Sequence, residues 1–152
     1  NILHLQLYSM LKNSFYFLIF ILLLGCKKDD ENLFSISIES TSPTSLIEFS
    51  ENIMVRINYE HPDGYVGFYN PDYLSLEVKD SRLENADYYH LIPINPPNQN
   101  LSTSGNILIE IDAPFVLGNG LTETLTYSIR IQDREMKWSN AISTPSIVVT
   151  KQ

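Results

Sequence analysis

From Leu33 to the end of the chain, apolar residues recur at every second position, and this pattern limits the fold more than any other feature of the 152 residues. Successive side chains of a strand point to opposite faces, so period two marks segments with one buried and one solvated face. FSISIE sets Phe34, Ile36 and Ile38 on one face, and NIMVRINYE sets Ile53, Val55, Ile57 and Tyr59 opposite Met54, Arg56 and Asn58. YLSLEVKD alternates Leu74, Leu76 and Val78 with Ser75, Glu77 and Lys79. NILIEID supplies Ile107, Ile109 and Ile111, and LTYSIRIQD supplies Leu125, Tyr127, Ile129 and Ile131. SIVVT closes the chain, and YYHLIPI is a weaker strand that Pro93 assigns to an edge. Turn formers such as STSPTS, HPDGYVG, YNPD, NPPNQNLSTSG and LGNG separate these runs, and no window of a dozen residues carries a helical stripe. The expectation is an all-β fold, an antiparallel β-sandwich of about seven strands over residues 33–152.

A different pattern precedes that domain. Read from Met10, the chain runs MLKNSFYFLIFILLLGC: Lys12 gives a positive start, and Phe15 to Leu24 are ten unbroken apolar residues. That is the length of a signal-peptide core and too short to span a bilayer alone. Leu-Leu-Gly-Cys then resembles a bacterial lipobox, in which the cysteine thiol takes a diacylglycerol and the peptidase needs a small residue before it. The resemblance implies cleavage between Gly25 and Cys26 and lipidation of Cys26, the only cysteine. An uncleaved membrane helix over residues 3–24 would instead bury Lys12, Asn13 and Ser14 mid-membrane, at a few kcal/mol for the charge alone. A core thiol is at odds with the flanking CKKDDEN. Residues 1–9 read as an upstream extension, 10–25 as a lipoprotein signal peptide and 26–32 as a charged tether. A single acyl chain anchors marginally, whereas the two or three of a bacterial lipoprotein hold permanently.

The tether begins with Lys27, Lys28, Asp29, Asp30 and Glu31. This run resembles the surface-export signal of outer-membrane lipoproteins in a Gram-negative phylum rich in surface polysaccharide-uptake systems. It implies an outer-membrane, lipid-anchored protein displayed at the cell surface. The competing reading is a self-repelling solvated linker on a periplasm-facing lipoprotein. The net charge of −8 excludes nucleic acid as a partner, because phosphate binding needs clustered Lys and Arg. Removal of residues 1–25 takes one base, Lys12, and no acid, leaving 9 bases against 18 acids.

The closing hairpin sharpens the fold. YSIRIQDREMKWS, residues 127–139, resembles the last two strands of immunoglobulin-like and fibronectin type III domains. The likeness implies an immunoglobulin-like sandwich in which Tyr127 is a corner tyrosine, ring in the core and hydroxyl bonded to nearby backbone. It also puts Trp138 over the hairpin end. About 100 residues, from the first full strand onward, further resemble a group of small, mostly uncharacterised lipoproteins of the same phylum. Their shared features are a DPDGDxG-like loop, VKDSR at a strand end (78–82 here) and a closing DRxxxWSNxxxTPxI segment (DREMKWSNAISTPSI, 133–147 here). Such a likeness implies a fold and no activity, because sandwiches host many unrelated functions.

Chemistry has few places to reside. HPDGYVG, residues 61–67, matches a calcium-type loop at Asp63, Gly64 and Gly67, with Asp72 nearby, but His61 and Tyr65 replace two carboxylates. Asp63 and Asp72 are thus a weak calcium candidate, against a tight turn built on Gly64. There is no G-x-S-x-G or H-E-x-x-H, and His61 and His90 read as solvated loop or strand residues. Six of the seven tyrosines after Cys26 fall between Tyr59 and Tyr89, and YVGFYNPDY gathers Tyr65, Phe68, Tyr69 and Tyr73 on one loop. Exposed rings with polar neighbours bind sugars or proteins at little entropic cost; tyrosine is also simply common in strands. The function read from the sequence is a non-enzymatic, cofactor-free binding module for a glycan or protein, anchored to the membrane through Cys26. A structural envelope subunit without a ligand is the alternative, and a small carboxylate-dependent hydrolase the least favoured one.

Overall fold

A computed structural model of the chain describes residues 34–62, 64, 66–93 and 102–152. The lipidation, cleavage and export residues Gly25, Cys26, Lys27, Lys28, Asp29, Asp30 and Glu31 lie outside the described residues, as do Asp63 and Tyr65. Ten strands follow in order: β1 (Ser35–Ser42), β2 (Ser45–Ile47), β3 (Ile53–His61), β4 (Leu76–Asp80), β5 (Asp87–Tyr89), β6 (Thr103–Ile111), β7 (Thr122–Leu125), β8 (Tyr127–Ile131), β9 (Ile142–Ser143) and β10 (Ile147–Thr150). The described residues contain no helix and form an all-β fold. None of their segments is a helix long and apolar enough to cross a membrane.

The strands form three sheets, ordered β1-β3-β6, β5-β4-β8-β9 and β2-β10-β7. All pairs are antiparallel except β2 with β10, which run parallel. The alternation read from the sequence sets the burial: Ile53, Val55, Ile57 and Tyr59 of β3 point inward, as do Ile107, Ile109 and Ile111 of β6. Leu76 and Val78 of β4, Tyr127, Ile129 and Ile131 of β8, and Ile147 and Val149 of β10 join them in one hydrophobic cluster fed by all three sheets.

The count of about seven strands falls short because LTYSIRIQD divides at Thr126 and because two short strands, β2 and β9, lie outside the runs that the alternation marks. Pro43 has no N–H to continue the ladder, so the chain leaves β3 after β1 and its next segment, β2, lies parallel to β10. Thr126 separates β7 from β8; its N–H donates to Ser81 Oγ at 3.0 Å, and its carbonyl accepts the Ser81 N–H at 2.9 Å. The chain opposite carries one extra residue: Leu125 to Ile129 is four steps, whereas their partners Ile147 and Ile142 are five apart. Thr144 absorbs the surplus, accepting the Tyr127 N–H on Oγ1 and donating its own N–H to the Tyr127 carbonyl, both at 2.9 Å. This is a β-bulge, and it divides β9 from β10.

Two further expectations are corrected. Leu74 does not join the buried face; it is exposed, and β4 starts only at Leu76 after a fully buried Ser75. Tyr127 does bury its ring, but among the described residues its hydroxyl takes no backbone partner. Its cross-strand neighbour Asp80 is instead committed to Arg82.

Candidate functional site

The aromatic loop after β3 is tied down at several of its described residues. His61, at the end of β3, is buried rather than solvated, with Nε2 3.2 Å from Asp133 Oδ2 and the Phe34 ring 4.8 Å from its own. Asp133 Oδ1 also accepts the N–H groups of Glu135 and Lys137, each at 2.8 Å, which closes the turn after β8. The Thr103 hydroxyl donates to the Gly64 carbonyl, and Val66 bridges Asp133. Gly67 adopts φ 93°, where a Cβ would stand 2.6 Å from the Ile92 carbonyl oxygen. Phe68 N–H donates to Leu91 O at 3.0 Å, and His90, half-buried, places Nε2 2.6 Å from Phe68 O.

The four ring candidates therefore divide. Phe68 and Tyr73 are half-buried against each other, ring centroids 3.9 Å apart. Tyr73 also donates its hydroxyl to Gln132 Oε1 at 2.8 Å, and Gln132 Nε2 donates to Met136 O at 2.7 Å. Tyr69 alone of the described three stands fully outward, at 72% exposure. Asp72 is exposed in a turn where its N–H donates to Asn70 Oδ1. Among the described residues, no three His, Cys, Asp or Glu side chains gather closely enough to hold a metal ion.

A second group, on the outward face of the β5-β4-β8 strands, was not singled out as a site from the sequence. The register sets Tyr88 of β5 opposite Glu77 of β4, and Glu77 opposite Arg130 of β8. Arg130 grips Glu77 with two bonds, Nε to Oε1 at 2.8 Å and Nη2 to Oε2 at 2.7 Å. The guanidinium carbon stands 4.6 Å from the Trp138 ring centroid, within cation–π range. The Tyr88 and Trp138 rings are 6.5 Å apart, tilted by 58°. The Arg130 hydrogen bonds hold the Glu77 carboxyl below the usual glutamate range, and its bond to Glu77 raises the Tyr88 phenol. In one dimension Glu77 and Arg130 look like ordinary outward polar residues; only the register shows that they meet.

The segments VKDSR and DREMKWSNAISTPSI act chiefly as fastenings. In VKDSR, Arg82 bonds both Asp80 oxygens, and its Nη1 bonds Phe115 O at 2.7 Å and Glu123 Oε2 at 2.9 Å. In the closing segment, Ser139 Oγ accepts the Ile131 N–H, and the Asn140 side chain bonds both backbone groups of Ile36. An apolar cavity of about 430 Å³ opens between Leu76, Val78, Leu91, Ile107, Ile109 and Ile111. Glu110, on its lining, accepts a hydrogen bond from Asn52 at 2.7 Å.

No protein-family model, no curated protein and no solved structure matches the chain.

Proposed function

We propose that the chain is a lipid-anchored lipoprotein of the bacterial outer membrane, displayed at the cell surface. Its residues 33–152 form an immunoglobulin-like β-sandwich serving as a non-enzymatic binding module. The strand connectivity supports the sandwich. Residues 122–131 and 142–150 pair twice, as β8 with β9 and β7 with β10, which joins two of the sheets into one layer. The β1-β3-β6 sheet supplies the facing layer, and the first strand divides between them, β1 on one and β2 beside the last strand on the other. That connectivity supports the immunoglobulin-like reading.

The observation that carries the binding role is Tyr69, an outward ring on a loop whose neighbours are fastened at Gly67, Phe68 and Tyr73. A ring held this way loses little freedom when a glycan or protein covers it. Two measurements test the reading. Cys26→Ser should release the protein from membranes, and surface proteolysis of intact cells should remove the wild type. Tyr69→Ala should weaken ligand capture without lowering Tm. A Cys26→Ser chain that still sediments with membranes refutes the anchor, and capture indifferent to Tyr69 refutes the loop as the contact.

A further inference from the structure

We infer that the outward ladder Tyr88–Glu77–Arg130–Trp138 is a binding site for a neutral saccharide chain. The inference rests on the binding-module reading and not on Tyr69. Its first basis is geometric. The three strand residues lie abreast on adjacent strands, so the row is about 10 Å long at the usual strand spacing, a length that two linked pyranose rings cover. The strands fix the backbone beneath it, and the double Glu77–Arg130 bond fixes the side chains above. Little remains to be ordered when a ligand arrives.

The chemistry matches an amphipathic sheet-like ligand. A pyranose ring has apolar C–H faces and a polar rim of hydroxyls. Tyr88, at 47% exposure, and Trp138, half-buried, bring aromatic area to the row, their ring centroids 6.5 Å apart. Beside them stand a carboxylate that accepts and a guanidinium that donates, the latter with Nη1 unused by the two bonds to Glu77. A hydroxyl both donates and accepts, so it can serve either partner.

Charge decides against an anionic ligand. Arg130 is neutralised within the site by Glu77, and the chain as a whole carries −8, a field that repels polyanions. Lys79, one rung further along the same face of β4, is the remaining cation of the row. The other neighbouring rung is occupied: Ser75, which accepts the Gln132 N–H at 2.8 Å, is fully buried, and Gln132 takes the Tyr73 hydroxyl. The aromatic loop thus walls one end of the ladder and leaves the other open.

Trp138 is the only tryptophan, so its emission reports on this face and no other. The full chain is titrated with hexasaccharides of glucose, mannose and galactose, with a galacturonate hexamer and a mixed peptide pool as further arms. At least one neutral sugar should shift the emission saturably. By calorimetry, Tyr88→Ala and Glu77→Gln should each weaken that sugar at least about tenfold, as loss of a central contact does, with Tm unchanged in the conservative control Tyr88→Phe. Binding that survives Tyr88→Ala but is lost in Tyr69→Ala overturns the ladder and leaves the module standing at its loop. Binding of the galacturonate or peptides alone, or of no arm at all, overturns the ligand assigned to the ladder.

Discussion

Asn140 finishes the open edge of β1 with its side chain, Oδ1 accepting the Ile36 N–H at 2.8 Å and Nδ2 donating to the Ile36 carbonyl at 3.0 Å. A primary amide carries the same donor and acceptor as a peptide unit, so it stands in for a neighbouring strand. Asn140→Ala exposes that edge and should cost about 1–2 kcal/mol, the net worth of two such bonds. Asn140→Asp keeps the acceptor, loses the donor and should fall between. Urea unfolding measures both, and equal losses would assign the effect to packing instead.

Gly67 is held at φ 93° with Ile92 O where a Cβ would go. Alanine there meets both a left-handed backbone and a carbonyl that cannot easily retreat. Gly67→Ala should therefore destabilise by at least about 2 kcal/mol. If the loop alone yields, hydrogen exchange will speed at Phe68 while the β3 and β6 amides keep their protection.

Arg82 joins three parts of the chain through Asp80, the Phe115 carbonyl and Glu123, the last of which also accepts the Leu117 and Gly118 N–H groups. Lysine retains the charge but not the fork that reaches all three. Arg82→Lys should cost about 2–3 kcal/mol, because Asp80 is left buried with a poorer partner. Exchange at residues 115–121 should rise in the same variant.

The acid side follows from two glutamates. Hydrogen bonds from the Leu117 and Gly118 backbone and from Arg82 lower Glu123, and bonds from Arg130 lower Glu77. A carboxyl lowered in the fold releases its proton there more readily than in the unfolded chain. Its stabilisation is thus complete above the ordinary value of about 4.3 and disappears as pH falls through that value toward the folded one. The stability gap between wild type and Glu123→Gln should accordingly be constant near neutrality and close in acid. A gap independent of pH would remove the carboxylate from the account.

The alternation made the main strands and most of the core legible, since Ile53, Val55, Ile57, Ile129 and Ile131 are buried where period two sets them. The breaks were not legible. Thr126 sits inside a run that scans as one continuous strand, and it parts β7 from β8 only because Ser81 takes its backbone groups from elsewhere in the chain. The clustering of tyrosines marked the loop, but it could not separate Tyr69 from Phe68 and Tyr73, whose burial depends on Gln132 and on each other. Glu77 and Arg130, 53 residues apart, were hidden for the same reason. Local pattern records which face a side chain takes; it does not record which partner the register brings.

Tyr127 separates a corner tyrosine from a purely packed one. Burial pushes its phenol up to about 12, so the fold favours the neutral ring. The unfolded chain ionises near its ordinary value of about 10 and then binds fewer protons than the fold. Stability therefore declines as pH rises through that value and goes on declining until the folded phenol ionises. Urea midpoints should fall across this alkaline window in the wild type and fall less in Tyr127→Phe. Near neutral pH the same substitution should cost under about 1 kcal/mol, because no hydrogen bond of ordinary worth is lost. A larger neutral loss with an unchanged alkaline slope would mean that the hydroxyl is bonded after all, as the immunoglobulin-like corner requires.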